Sequence, residues 1–81
     1  AASLMSVTLA SLRPGESGVV EGFVQEDELA QRLMQMGVVE GAEVEVLRYA
    51  PAGDPLEVRV LGYALSLRGS EAANVLIARR D

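Results

Sequence analysis

Between Glu43 and Leu67 apolar and polar residues alternate in three short runs, and a turn signal separates each run from the next. "EVEV" sets Val44 and Val46 against Glu43 and Glu45. "LEVRV" sets Leu56, Val58 and Val60 against Glu57 and Arg59, and "YALSL" places Tyr63, Leu65 and Leu67 on one side. A period of two is the mark of a half-buried strand. The separators are "PAGDP" (Pro51–Pro55), with two prolines and a Gly-Asp, and the tight pair Leu61-Gly62. The first two runs are expected to pair as a hairpin with Glu45 opposite or diagonal to Arg59. Short strands joined by tight turns and glycine bends favour a small, strongly curled barrel over a flat sheet.

The flanking segments fit that frame. In "SVTLASLRPGESGVVEGFV", Leu9 and Leu12 are placed to cover one end of the core, and Pro14-Gly15 marks a turn. Val19, Val20, Phe23 and Val24 form a short apolar strand that Gly22 breaks, as a bulge or bend would. "QEDELAQRLMQMG" reads as the one long helix, with Glu26, Asp27 and Glu28 in its first turn. Glu28 and Arg32 have the i, i+4 spacing of an ion pair. Leu29, Ala30, Leu33 and Met34 form the apolar stripe; Met36 is expected off it and exposed, Leu33 buried. Gly37 reads as the left-handed residue that ends the helix, folding Val38 back onto Leu33. Gly41, after Glu40, and Gly62 are the other structural turns. "GSEAAN" allows one helical turn with Ser70 as its N-cap, Arg68 and Glu71 are spaced for a local ion pair, and "VLIARR" closes the chain as a strand. The expectation is a mainly β fold: about five strands, one α-helix after the first strand and a short helical turn before the last. Residues 5–81 form a single domain, and Ala1–Leu4 reads as an addition ahead of Met5.

The fold must rest on packing or on a partner. The 81 residues contain neither Cys nor His, which removes disulfides and the usual structural zinc sites. Roughly 3–5 kcal/mol of net stability is usual at this size. Twelve acidic against seven basic residues, all arginine, leave a net charge of −5. That balance disfavours RNA, DNA and anionic lipid as partners. No apolar run approaches the roughly 18–20 residues that cross a bilayer, and no signal peptide is visible, so a cytoplasmic protein is expected.

Chemistry is sparse. No His activates Ser6, Ser11, Ser17, Ser66 or Ser70, and the glycines between Gly15 and Gly22 lack the Lys-Ser/Thr of a phosphate loop. A metal site would have to be drawn from Glu26, Asp27 and Glu28, with Met34 and Met36 as minor donors. Consecutive helical residues do not converge, and Fe²⁺ prefers some imidazole. Neither a cofactor nor a metal site is expected, and no enzyme.

Three blocks then occur in order: "RLMQMGVVEGAEVEV", "RYAPAGDPLEV" and "GYALSLRGSEA". Together they resemble the FeoA family, over about Val7 to Arg79. The same unit is similar to the C-terminal SH3-like domain of iron-dependent repressors. The resemblance implies an SH3-like β-barrel and a non-catalytic role beside FeoB, the membrane ferrous-iron transporter with a cytoplasmic GTP-binding domain. Contact with the membrane would then run only through that transporter. The candidate partner surface comprises Leu33, Met34 and Met36 at the helix end and Pro51, Gly53 and Asp54 in the loop. The rival reading is a regulatory domain responsive to iron or another transition metal. Self-association through an exposed edge strand is a further expectation for so small a barrel.

Overall fold

The alternating runs are strands, and they curl. The computed structural model describes residues 6–79, which form one antiparallel sheet of six strands. These are β1 (Ser6–Thr8), β2 (Ser17–Phe23), β3 (Glu43–Tyr49), β4 (Leu56–Val60), β5 (Tyr63–Leu67) and β6 (Val75–Arg79), in the order β1-β6-β2-β3-β4-β5. Helix α1 (Glu28–Gln35) follows β2, and α2 (Gly69–Ala72) precedes β6. The expected count of about five strands misses β1, which also moves α1 to a place after the second strand. β1 is three residues long, too short to show alternation, and is held by pairing with β6. Ala1–Met5, with the expected natural start, lies outside the described residues.

Two interruptions bend the sheet. Glu21 is an extra residue between Val20 and Gly22 where β2 meets β6, and Leu47 is extra between Val46 and Arg48 where β3 meets β4. Such bulges sharpen the right-handed twist. The valines of β3 and β4 all turn inward, while Glu45 stands directly opposite Arg59 with 3.6 Å between their charged groups.

The interior is apolar. Leu9, Leu12, Leu33, Leu56, Leu67, Ile77 and the inward valines are buried, and no polar or charged side chain is buried among the described residues. Polar groups instead tie loops together at the surface. Tyr49 donates its hydroxyl proton to the Leu12 carbonyl at 2.6 Å, with the Ala10 carbonyl beside it at 3.1 Å. Asn74 accepts from the Gln25 N–H at 2.8 Å and donates to its carbonyl at 2.9 Å. Each satisfies backbone groups that neither sheet nor helix pairs.

Helix α1 begins later than its acidic run suggests. Asp27 is the N-cap, its carboxylate accepting from the Ala30 N–H at 3.0 Å, so only Glu28 lies in the first turn. Glu26 precedes the helix, and Glu28 and Arg32 make no ion pair. At the other end Gly37, at φ +101°, donates to the Met34 carbonyl at 3.1 Å, and Val38 donates to the Leu33 carbonyl at 3.0 Å. This pair of bonds satisfies two open carbonyls and buries Leu33 and Val38 together. Gly41 and Gly62 likewise hold positive φ, at 91° and 87°.

Two expectations follow. A Cβ on Gly37 would sit 2.7 Å from Leu61 Cδ1 and 3.1 Å from the Tyr63 hydroxyl. Gly37→Ala should therefore destabilise by roughly 1–3 kcal/mol, read from urea unfolding. Glu16 accepts from the Arg13 N–H at 2.7 Å and pairs with the Arg79 guanidinium. Chiefly that backbone bond, with help from Arg79 and Arg13, holds its carboxyl below the usual value, against desolvation, which raises it. A lowered folded pKa stabilises above the unfolded value and is lost as pH falls through the folded one. Urea midpoints measured across that acid window should fall less steeply for Glu16→Gln than for the parent.

Candidate functional site

With an apolar interior, any working surface is on the outside, and it gathers where α1 ends. The β4–β5 hairpin turns through Leu61 and Gly62, both at positive φ, the two-residue geometry that matches strand twist. A bulky residue is rare at such a position, and Leu61 holds φ 52°. Its side chain leans over Gly37, and the Tyr63 hydroxyl bonds to the Met36 carbonyl. Around this junction Leu61 is 62% exposed, Tyr63 45%, Val39 38% and Met34 36%. Among the described residues Val24, just past β2, is a further large exposed apolar side chain.

The structure corrects the helix wheel. At about 100° per residue, position 36 returns to within about 20° of position 29, and position 34 lies about 140° away. Met36 therefore packs half-buried against the core, whereas Met34, expected in the buried stripe, is exposed. Leu33 is fully buried and offers nothing to a partner. Tyr63, expected on the same side of its strand as Leu65 and Leu67, is exposed where Leu67 is buried, because it sits at the strand end over the helix cap. Leu61, Tyr63 and Val39 were not among the sequence candidates. A Leu at a hairpin apex was the available signal.

The loop candidates lie elsewhere. Pro51, Gly53 and Asp54 are exposed between β3 and β4, at the opposite end of β4 from Leu61. At about 3.3 Å per residue, β4 separates the two groups by roughly 15 Å. Asp54 does not bond its own neighbourhood. Its carboxylate accepts from the Gly69 N–H at 2.5 Å and so caps α2 from a distant loop. Ser70 is not the N-cap of α2; Arg68 holds that position, and the Glu71 carboxylate accepts from the Arg68 N–H at 2.7 Å. The two side chains form no ion pair among the described residues.

The acidic candidates do not converge. Asp27 is engaged as a cap, and among the described residues no group of three or more His, Cys, Asp or Glu side chains comes together as a metal site. No helix among the described residues is long and apolar enough to cross a membrane.

Residues 7–79 match the FeoA domain family. The chain belongs to the FeoA domain family. Over 67 residues, 83% of this chain, it is 31% identical to an Fe(2+) transport protein A/Fe(2+) transporter FeoB fusion protein of Porphyromonas gingivalis, of whose length those residues span 8%. The solution structure of a FeoA-like protein from Clostridium acetobutylicum is 38% identical, with a TM-score of 0.83 over 89% of this chain and 84% of that one. FeoA of Stenotrophomonas maltophilia, crystallised with zinc and described as a prokaryotic SH3 domain protein, is 34% identical, with a TM-score of 0.78 over 91% of this chain and 95% of that one. A manganese-dependent transcriptional repressor, 15% identical, gives a TM-score of 0.84 over 96% of this chain and 44% of its own, a likeness of fold alone. The SH3-like β fold and the likeness to repressor domains are thus both present in this FeoA domain.

The role of Asp54 is directly measurable. Asp54→Ala frees the Gly69 N–H and should cost about 1 kcal/mol, within the usual range for a lost cap. Faster exchange of the Gly69 amide would locate the effect.

Proposed function

We propose that this FeoA domain is a non-catalytic accessory of ferrous iron uptake that acts by touching the cytoplasmic part of a FeoB-type transporter. Fe²⁺ is the transporter's cargo and not a resident of this domain. The observation that carries the reading is the relative in which this domain and the transporter are one polypeptide. A fusion keeps the two at high local concentration, an arrangement that rewards a contact weak on its own.

The junction of α1 with the β4–β5 turn is the proposed contact face. Met34, Val39, Leu61 and Tyr63 present apolar surface on a rigid support, and the methionine adapts its shape to a partner. Pro51, Gly53 and Asp54 form a second, separate surface, in which Asp54 is already committed to α2. Contact would bias the transporter's cytoplasmic domain without any chemistry on this side. Cytoplasmic placement follows from the same reading.

Amide NMR titration with the soluble cytoplasmic domain of the transporter tests this. Saturable shifts should cluster at Met34–Val39 and Leu61–Tyr63. Leu61→Ser should weaken binding roughly tenfold to a hundredfold, the loss of a buried leucine contact, with the dispersion of the free spectrum unchanged. Unaltered affinity in both Leu61→Ser and Met34→Ser would remove this face from consideration. Absence of any shift would remove direct contact with that domain.

A further inference from the structure

The sheet ends on one side at β1 and on the other at β5. β1 has three residues, and so short an edge offers little to pair with. β5 has five, "YALSL", without a charge or a proline to blunt it. Its backbone directions follow from the hairpin. Val60 and Tyr63 flank a two-residue turn, so they form the bonded pair, and the bonded residues alternate from there. Tyr63, Leu65 and Leu67 turn their N–H and C=O groups to β4. Ala64 and Ser66 turn theirs outward, where no other strand among the described residues pairs with them.

That edge borders a groove. Leu29 and Arg32 of α1 and Met36 just past its end line a cleft of about 430 Å³ together with Ser66, Arg68 and Glu71. Arg48, Arg59 and Arg79 are paired with Glu57, Glu45 and Glu16. Arg32 and Arg68 have no ion-pair partner among the described residues. The Glu71 carboxylate is turned to the Arg68 backbone N–H. An acidic chain thus keeps two uncommitted guanidiniums beside an open strand edge and two apolar side chains.

We infer that the groove between α1 and the edge of β5 receives an extended, carboxylate-bearing peptide segment, which adds to the sheet as a further strand. Ala64 and Ser66 bond its backbone, Arg32 and Arg68 take its carboxylates, and Leu29 and Met36 take its apolar side chains. Strand addition draws affinity from the main chain and selectivity from alternate side chains. A second copy of this chain is the poorer occupant, because β5 would bring no carboxylate to the arginines. Nucleic acid would satisfy the arginines but offers no strand edge and meets a net charge of −5. The inference goes beyond the transporter reading and does not depend on it: neither Leu61 nor Met34 lines the groove.

The test is an amide NMR titration of the whole chain with an acetylated, amidated peptide of sequence ELELE, beside its neutral counterpart QLQLQ. ELELE should shift the Ala64 and Ser66 amides and slow their hydrogen exchange. QLQLQ should bind roughly three- to tenfold more weakly, as two exposed ion pairs allow. The double variant Arg32→Gln/Arg68→Gln should lose the same factor for ELELE. Ser66→Pro removes an outward N–H and is tolerated on an edge; it should keep the native spectrum and lose binding. Shifts that avoid Ala64 and Ser66, or equal affinity for the two peptides, would overturn the proposal. So would concentration-dependent shifts of β5 without peptide, which identify a second copy as the occupant, or an oligouridylate that moves the same amides with higher affinity. Because no transporter is present, failure here leaves the proposed function standing, and the reverse also holds.

Discussion

The bond from the Val38 N–H to the Leu33 carbonyl is the contact on which the rest depends. It stops α1 after eight residues and turns the chain back into the core. Leu33 and Val38 are buried by the same turn, and the left-handed backbone at Gly37 leaves no Cβ between the helix end and the β4–β5 hairpin. Leu61 and Tyr63 can then lie over the cap. A helix that continued past Met36 would carry Val38 away from the core and leave this hairpin without a support. The proposed contact face is therefore a by-product of helix termination.

A chain with no disulfide, and no buried polar side chain among its described residues, must hold its loops by other means. Burial of valine and leucine is non-directional, so it draws the sheet together without specifying where each loop sits. Direction comes from a few surface groups. Tyr49 ties the first turn to β3, Asn74 ties the approach to α1 to the approach to β6, and Asp54 ties the β3–β4 loop to α2. All three join segments distant in sequence, and all three act on backbone groups, which lose most when left unpaired away from water. The division of labour suits a small domain, in which a buried polar network would displace a large share of the apolar volume.

The same arrangement separates two surfaces by their chemistry. At the hairpin side of the α1 terminus Met34, Val39, Leu61 and Tyr63 expose large apolar side chains. In the groove beside β5 the backbone is open and the flanking charges are positive. The first is proposed to take a partner by shape and apolar area, the second an extended chain with carboxylates. Both adjoin the end of α1: Met34 belongs to the first, and Met36, the residue that caps the helix, lines the second.

The strands with period two, the glycine turns at Gly37, Gly41 and Gly62, and the inward valines were legible in the sequence, because side chains alternate strictly along a strand and few residues other than glycine adopt positive φ. The family blocks were legible for the same reason: they are the turns and strand starts themselves. The acidic run Glu26–Glu28 was read two residues too generously, since Glu26 precedes the helix and the bond from the Ala30 N–H makes Asp27 a cap and not part of the first turn. Met34 and Met36 were interchanged. A short helix constrains its own rotation weakly, and its true facing is set by what it lies on. β1, the partner of Asp54, the uncommitted arginines and the open edge of β5 belong to tertiary structure alone. Each is a relation between segments brought together only when the sheet curls, and a linear pattern carries no record of distances across a fold. The sequence by itself determined a curled β domain of the FeoA kind; the tertiary structure decided which of its exposed groups share a surface.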